Sequence, residues 1–180
     1  MLFGISLSTY TAAHVTLSLL GIGFGVLVLL RPSASPKVWS LTTLFLATTL
    51  ASSITGLLYL ATFPRFGMGH GIAIASLLIF APTVLALHRH RLAGRPWRLT
   101  YVAGATSLVY LNAFIGVWQA FGKIEFVRAL PVTTFGSPLL LAHLLLAAVC
   151  LWLALHAFAG LQPGPRRAKV RPLRVADRWN

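Results

Sequence analysis

Five long apolar segments, separated by short connections that carry charges or helix breakers, dominate the pattern of this chain. They occupy residues 10–30, 41–62, 71–87, 99–121 and 138–161. A helix needs roughly 20 residues, with about 17 as the lower limit, to cross the hydrocarbon core of a bilayer, and each segment meets that length. The pattern therefore predicts an all-α transmembrane bundle with five spans. The third segment is the shortest and contains Pro82, which neighbouring helices can accommodate.

Basic residues are distributed unevenly among the connections. The first connection, the third connection and the C-terminal segment together carry twelve Lys and Arg, the second and fourth carry three, and the first nine residues carry none. Basic connections stay in the cytoplasm, so this bias predicts an external N-terminus and a cytoplasmic C-terminus. Only an odd number of crossings places both arginine-rich regions inside while the uncharged N-terminus stays outside, which supports the short third span.

Composition excludes a soluble domain beside these spans. Of the 180 residues, 57% are hydrophobic and only 9% are charged, too few to cover a water-facing surface. We therefore predict one transmembrane domain, residues 1–161, and a basic cytoplasmic tail, residues 162–180, which anionic lipid headgroups or an acidic partner would attract. The net charge of +13 does not predict nucleic-acid binding, because the basic residues lie between apolar segments, where they indicate membrane orientation.

Polar side chains within the apolar segments are the first candidates for function, because lipid offers them no hydrogen-bond partner. In the fourth segment Asn112 and Gln119 are seven residues apart, on nearly the same helical face, with Gly116 between them. The second segment has a similar stripe, namely Thr48, Ser52, Thr55 and Tyr59. Hydrogen bonds between helices are one explanation for both stripes, and a ligand site is an equal alternative for the fourth. Gly21 and Gly25 predict a close helix contact.

The histidines are the most specific candidates for a ligand or metal site in this sequence. His14 and His143 lie at similar depths below the predicted outer ends of their spans, and His70 borders the outer end of the third. These three and Gln119 could form a cluster in the outer leaflet. His88 and His156 form a second possible pair on the cytoplasmic side.

Imidazole pairs between helices are typical haem ligands, so His14 and His143 predict a possible b-type haem iron site. Two haems are less favoured, since His143 and His156 lie roughly 140° apart around one helix. A quinone is an alternative cofactor, because Asn112, Gln119 and the histidines could donate to its carbonyls. Both carboxylates, Glu125 and Asp177, lie outside the spans, which argues against a carboxylate proton relay.

The stretches Tyr110-Leu111-Asn112-Ala113-Phe114 and Gln119-Ala120-Phe121-Gly122-Lys123 resemble a family of small bacterial polytopic membrane proteins without an assigned activity. His14-Val15, Leu19-Leu20-Gly21-Ile22 and Thr55-Gly56 are similar to the same family. The resemblance implies a bacterial inner membrane and no particular chemistry. Where that family tends to have an acidic, proline-containing segment before the last span, this chain has residues 133–138 without an acidic residue.

Three hypotheses follow from the sequence. The leading one is a non-catalytic subunit or scaffold that docks onto other membrane subunits or onto a second copy, because no catalytic constellation is present. The second is a haem- or quinone-linked redox protein that uses His14 and His143. The third is a small-molecule transporter, which a polar cavity between the second and fourth helices would support.

Overall fold

The computed structural model describes residues 4–32, 36–61, 65–130 and 137–161, and within these ranges the chain is helical and has no strand. Five of its helices are long and apolar enough to cross a membrane. We number the helices α1 (Leu7–Leu30), α2 (Pro36–Leu58), α3 (Met68–Val84), α4 (Gly94–Lys123), α5 (Glu125–Arg128) and α6 (Pro138–Gly160). A 3-10 turn, Tyr59–Ala61, extends α2, and a π-helical turn, Leu85–Arg89, extends α3.

Side-chain caps determine where two of the long helices begin. The Ser6 hydroxyl accepts a hydrogen bond from the Thr9 amide at 3.1 Å, so α1 begins before its apolar segment does. The Ser137 hydroxyl accepts from the Leu140 amide at 3.3 Å, and Pro138 follows it, where its missing N–H costs nothing. The Ser6 cap therefore explains why α1 extends beyond its apolar segment. The Ser137 cap explains why α6 begins at the first residue of its own.

Helices α1 to α4 form a ring in which each packs against its sequence neighbour and α1 also packs against α4. Successive long helices run antiparallel, because their connections are short. Helix α6 lies outside this ring, against α4 and α1. We call the end where α1 begins the N-terminal end of the bundle, and the end where α6 finishes the C-terminal end.

The apolar core occupies the half of the bundle toward the C-terminal end. Its most buried side chains come from the last turns of α1 and α3, the first half of α2 and α4, and the last turns of α6; they include Leu29, Phe45, Ala86, Leu108 and Leu153. Because lipid is as apolar as these side chains, close packing and dispersion stabilise this half more than removal from water does.

Glycines permit the closest helix approaches. A Cβ atom on Gly25 would lie 2.8 Å from the Phe45 ring and would also collide with Val109, while one on Gly104 would collide with Thr83. A Cβ on Gly21 would lie 3.2 Å from the Thr49 hydroxyl. The predicted close approach at Gly21 and Gly25 is therefore confirmed, with α2 and α4 as the neighbours.

The third apolar segment forms a continuous helical stretch of 22 residues, Met68–Arg89, which is long enough to cross a membrane. Pro82 lacks an N–H group, and the hydrogen-bond pattern changes to the π type three residues later, at Leu85. Arg91 and Leu92 then adopt left-handed backbone conformations, with φ of 47° and 56°. The predicted tail, residues 162–180, lies outside the described residues.

Candidate ligand-binding cavity

The helices α1 to α4 line a partly open cavity of about 750 Å³ toward the N-terminal end of the bundle. All four helices contribute polar side chains to its wall, among them His14, Ser52, His70, Ser76, Asn112 and Gln119. Small-molecule sites in proteins have volumes of about 300–1,000 Å³, with apolar walls and a few polar groups. This N-terminal cavity has those properties, since aliphatic side chains of α1, α3 and α4 line it beside the polar groups, which also include Tyr59 and Lys123.

Hydrogen bonds between α1 and α2 fix the wall on that side. The Ser18 and Ser52 hydroxyls are 2.6 Å apart, and the Tyr59 hydroxyl donates to the Thr11 hydroxyl at 2.9 Å. The Tyr10 hydroxyl donates to the Thr55 carbonyl at 2.7 Å. The polar stripe predicted on the second helix therefore joins α2 to α1, as expected of polar residues between membrane helices.

His14 presents a hydrogen-bond acceptor to the cavity. Its Nδ1 atom lies 2.9 Å from the Thr55 hydroxyl, which donates its own proton to the Ala51 carbonyl at 2.8 Å. With the Thr55 proton assigned to the backbone, where the Ser52 carbonyl also lies 3.0 Å away, Nδ1 carries the imidazole proton and donates to Thr55, which leaves Nε2 of the neutral ring unprotonated. Gly56 lies beneath the ring, where a Cβ atom would be 3.5 Å from Cε1 of His14.

His70 has the opposite tautomer. The Gly67 amide donates to Nδ1 of His70 at 3.0 Å, so Nδ1 accepts, and Nε2 of the neutral ring carries the proton. The side chain is buried near the start of α3 and lines the cavity. The cavity wall therefore has an imidazole acceptor on α1 and an imidazole donor on α3.

Asn112 is the most informative residue of the cavity. The side chain is only 7% exposed, and its amide nitrogen has no hydrogen-bond partner among the described residues. Gln119 lies two turns away, about 10 Å along α4, toward the N-terminal end. Between them, a Cβ atom on Gly116 would have no neighbour within 4 Å, so the cavity extends past this glycine.

His143 does not line the cavity. Its ring packs against Phe114 with 4.2 Å between ring centroids, and its Nδ1 and Nε2 atoms lie 2.8 Å from the Leu139 carbonyl and 3.4 Å from the Phe114 carbonyl. Phe114 is two residues from Asn112 and so faces away from the cavity. The structure therefore brings His14, His70, Asn112 and Gln119 together but leaves His143 on the outer side of α4, which does not fit the predicted haem pair.

The second predicted histidine pair also has separate partners. His156 stacks on Trp152 and lies 3.2 Å from the Leu30 carbonyl, while His88 packs against Trp39 with 5.7 Å between ring centroids. Within the part of the chain that the structure describes, no three His, Cys, Asp or Glu side chains are grouped as metal ligands.

Three serines of the cavity wall were not predicted from the sequence. Ser18 lies one turn after His14, so the helical period could have placed it on the same face. Ser53 and Ser76 are buried side chains of α2 and α3, and no sequence pattern distinguished them from ordinary small residues at helix contacts.

None of the family models, curated proteins or solved structures with which the chain was compared matches it. The resemblance to bacterial polytopic membrane proteins therefore stays a prediction. The chemistry of the cavity has to be inferred from its own hydrogen-bonding groups.

Proposed function

We propose that this chain is a multi-pass membrane protein that binds a quinone-class molecule in the N-terminal cavity. The observation that carries the proposal is the buried, unpartnered amide nitrogen of Asn112 in the cavity wall. An unpaired polar group in such a site costs about 1–3 kcal/mol by mutational measurements, and a ligand carbonyl would remove that cost.

The remaining groups suit the same ligand class. Nε2 of His70 is a second donor, so the cavity offers donors on α3 and α4 for ligand carbonyl oxygens. The unprotonated Nε2 of His14 is an acceptor, which would favour a hydroxyl of a reduced quinone. Aliphatic side chains such as Ile72 and Ile115 provide the apolar wall that a ring and its tail require.

The charge distribution supports an orientation with the N-terminal end of the bundle outside and the C-terminal end in the cytoplasm. Arg89, Arg91, Arg95 and Arg98 all lie around the C-terminal end of α3 and the start of α4, whereas the N-terminal nine residues have no basic side chain. In this orientation the cavity lies in the outer leaflet. The family resemblance supports placement in a bacterial inner membrane.

The other two hypotheses have less support. Polar groups of α2 and α4 do line the N-terminal cavity, as the transporter hypothesis expects, but a transporter also needs a path to the other end, and the apolar core lies in between. The subunit hypothesis relies on exposed apolar surface, which is largest on α6 at residues such as Leu145 and Leu155, but every lipid-facing helix has such a surface.

The test is binding of decylubiquinone, a benzoquinone with a short alkyl tail, to the purified protein in detergent micelles. We expect Asn112→Leu to weaken binding at least about tenfold, because a hydrogen bond worth about 1.5 kcal/mol is lost. Extraction of the purified wild-type protein into organic solvent, followed by mass spectrometry, should identify a quinone-class compound that Asn112→Leu retains poorly.

Two glycines of α4 provide a matched pair of variants. Gly116→Leu should fill the cavity without a collision and abolish binding, because nothing lies within 4 Å of its Cβ position. Gly122→Leu makes the same change on the same helix, also in open space but outside the cavity wall, and should bind as the wild type does. Equal binding by both variants would refute the cavity as the site.

A further inference from the structure

A second pocket, of about 460 Å³, opens at the opposite end of the bundle. Its inner wall is apolar and includes Val28, Leu29, Leu87 and Ala157, from α1, the π-helical turn and α6. Its mouth is formed by Trp39, His88 and Arg91. We call it the C-terminal pocket, and no part of it is shared with the N-terminal cavity.

The backbone around Arg91 adopts a conformation that is unusual for its residue type and ends the helical stretch of α3. Arg91 and Leu92 are consecutive non-glycine residues in the left-handed region, which is unfavourable for residues with a Cβ atom and which glycine adopts freely. Gly94, two positions later, does occupy such a conformation, with φ of 76°. Since both Arg91 and Leu92 line the C-terminal pocket, the strained backbone places a cation at its mouth and an aliphatic group on its wall.

Neighbouring contacts hold this arrangement in place. The Leu92 amide donates to the Ala86 carbonyl at 3.1 Å, which ties the strained pair to the π-helical turn. Within the pocket, Tyr101 is hydrogen-bonded to Thr42, whose hydroxyl donates to the Val38 carbonyl at 2.8 Å. Those two hydroxyls are thus already engaged with protein groups, and Arg91 is the exposed arginine in the described lining of the pocket.

The cations at this end lack protein counter-ions among the described residues. Arg31, Arg89, Arg91, Arg95 and Arg98 lie here, whereas Glu125, the single carboxylate side chain in the described ranges, lies beyond α4 at the other end. The Nε atom of Arg98 is buried and has no hydrogen-bond partner in those ranges. An apolar pocket with a cationic mouth at a membrane surface matches an anionic lipid, whose chain and phosphate have the complementary properties.

We propose that the C-terminal pocket binds one anionic phospholipid, with an acyl chain in the apolar interior and the phosphate at Arg91. This site is independent of the proposed quinone cavity. The described residues that line it all lie before residue 162.

The experiment measures lipid binding to the full chain in maltoside micelles by native mass spectrometry and by thermal stability. Phosphatidylglycerol is the probe, phosphatidylcholine tests the role of charge, and glycerol 3-phosphate tests whether the headgroup alone suffices. We expect phosphatidylglycerol to bind and to raise the melting temperature, and Arg91→Gln to weaken its binding about fivefold, the effect of one basic residue near a lipid phosphate.

Arg65→Gln removes the same charge from an exposed residue near the N-terminal end and should bind phosphatidylglycerol as the wild type does. Arg91→Lys keeps the charge and the backbone constraint, so it should recover most of the phosphatidylglycerol binding that Arg91→Gln loses. Equal binding by wild type and Arg91→Gln, equal effects of the two phospholipids, or equal stabilisation by glycerol 3-phosphate would each overturn the proposal.

Discussion

The two halves of the bundle differ in what fills the space between the helices. In the half toward the C-terminal end, large apolar side chains such as Phe45 and Leu108 are completely buried, and glycines bring helices into direct contact. In the half toward the N-terminal end, hydroxyls, imidazoles and an amide surround an open cavity. The difference indicates that the first half stabilises the fold by close packing, while the second leaves room beside the unpartnered amide of Asn112 for the proposed ligand.

Among the substitutions, we expect the largest effect on the free energy of unfolding at Phe45, which is 0% exposed at the centre of the core. Phe45→Ala should lower the free energy of unfolding by about 3 kcal/mol, because the vacated volume loses its packing contacts. Unfolding by dodecyl sulfate in mixed micelles measures this. Phe126→Ala is the control, since Phe126 is 78% exposed on α5 and should cost almost nothing. Similar losses for both variants would mean that the C-terminal half does not stabilise the bundle.

Close helix contact in the same half is tested at Gly104. Gly104→Ala should destabilise by about 2 kcal/mol, because the new methyl group collides with Thr83 and separates α3 from α4. Gly23→Ala, where nothing lies within 4 Å of the Cβ position, should be neutral or slightly stabilising. Adding Thr83→Ala to Gly104→Ala should restore part of the loss, and no recovery would argue against this contact as the cause.

Polar contacts in the N-terminal half should contribute less. Ser52→Ala removes the hydroxyl that lies 2.6 Å from Ser18 and should cost about 0.5 kcal/mol, a typical value for a hydrogen bond between membrane helices. Ser53→Ala removes only a bond to the Thr49 carbonyl within α2 and should cost less. If Ser52→Ala were as damaging as Phe45→Ala, the two halves would not differ in their contribution to stability.

The smallest effect on stability is expected at Asn112. Asn112→Leu should leave the free energy of unfolding of the ligand-free protein unchanged or slightly increased, because the amide nitrogen it removes has no partner to lose. The same variant should lose quinone binding, so stability and binding separate at one residue. A loss above about 1 kcal/mol in the ligand-free protein would instead support the alternative in which Asn112 joins helices.

The helices could be predicted from the sequence because span length and apolar content determine them directly. Prediction failed where a cap or the backbone geometry determines the bounds or the type of a helix. Examples are Ser6, which starts α1 early, and the π-helical turn Leu85–Arg89. The polar stripe of α2 was predicted and does contact α1.

The sequence predicted how far along its span each candidate residue of the site lies. It did not predict which side of the bundle that residue faces. The similar depths of His14 and His143 allowed them to meet, yet the sequence does not reveal that α6 packs outside the ring. His14, His70, Asn112 and Gln119 share the cavity because their helices all belong to the ring. The left-handed backbone at Arg91 and Leu92 had no recognisable signal, since neither residue type favours it.

The hydrogen bonds of the N-terminal half also bear on how the chain assembles during synthesis. The hydrogen bonds of His14, Ser18 and Tyr59 beside the cavity all join α1 to α2, which leave the ribosome before α3 and α4. These two can therefore pair as a hairpin before α3 exists, and the later helices then close around a surface that is already formed. The cavity therefore lies between the α1–α2 hairpin, which forms first, and the helices α3 and α4, which pack against it later.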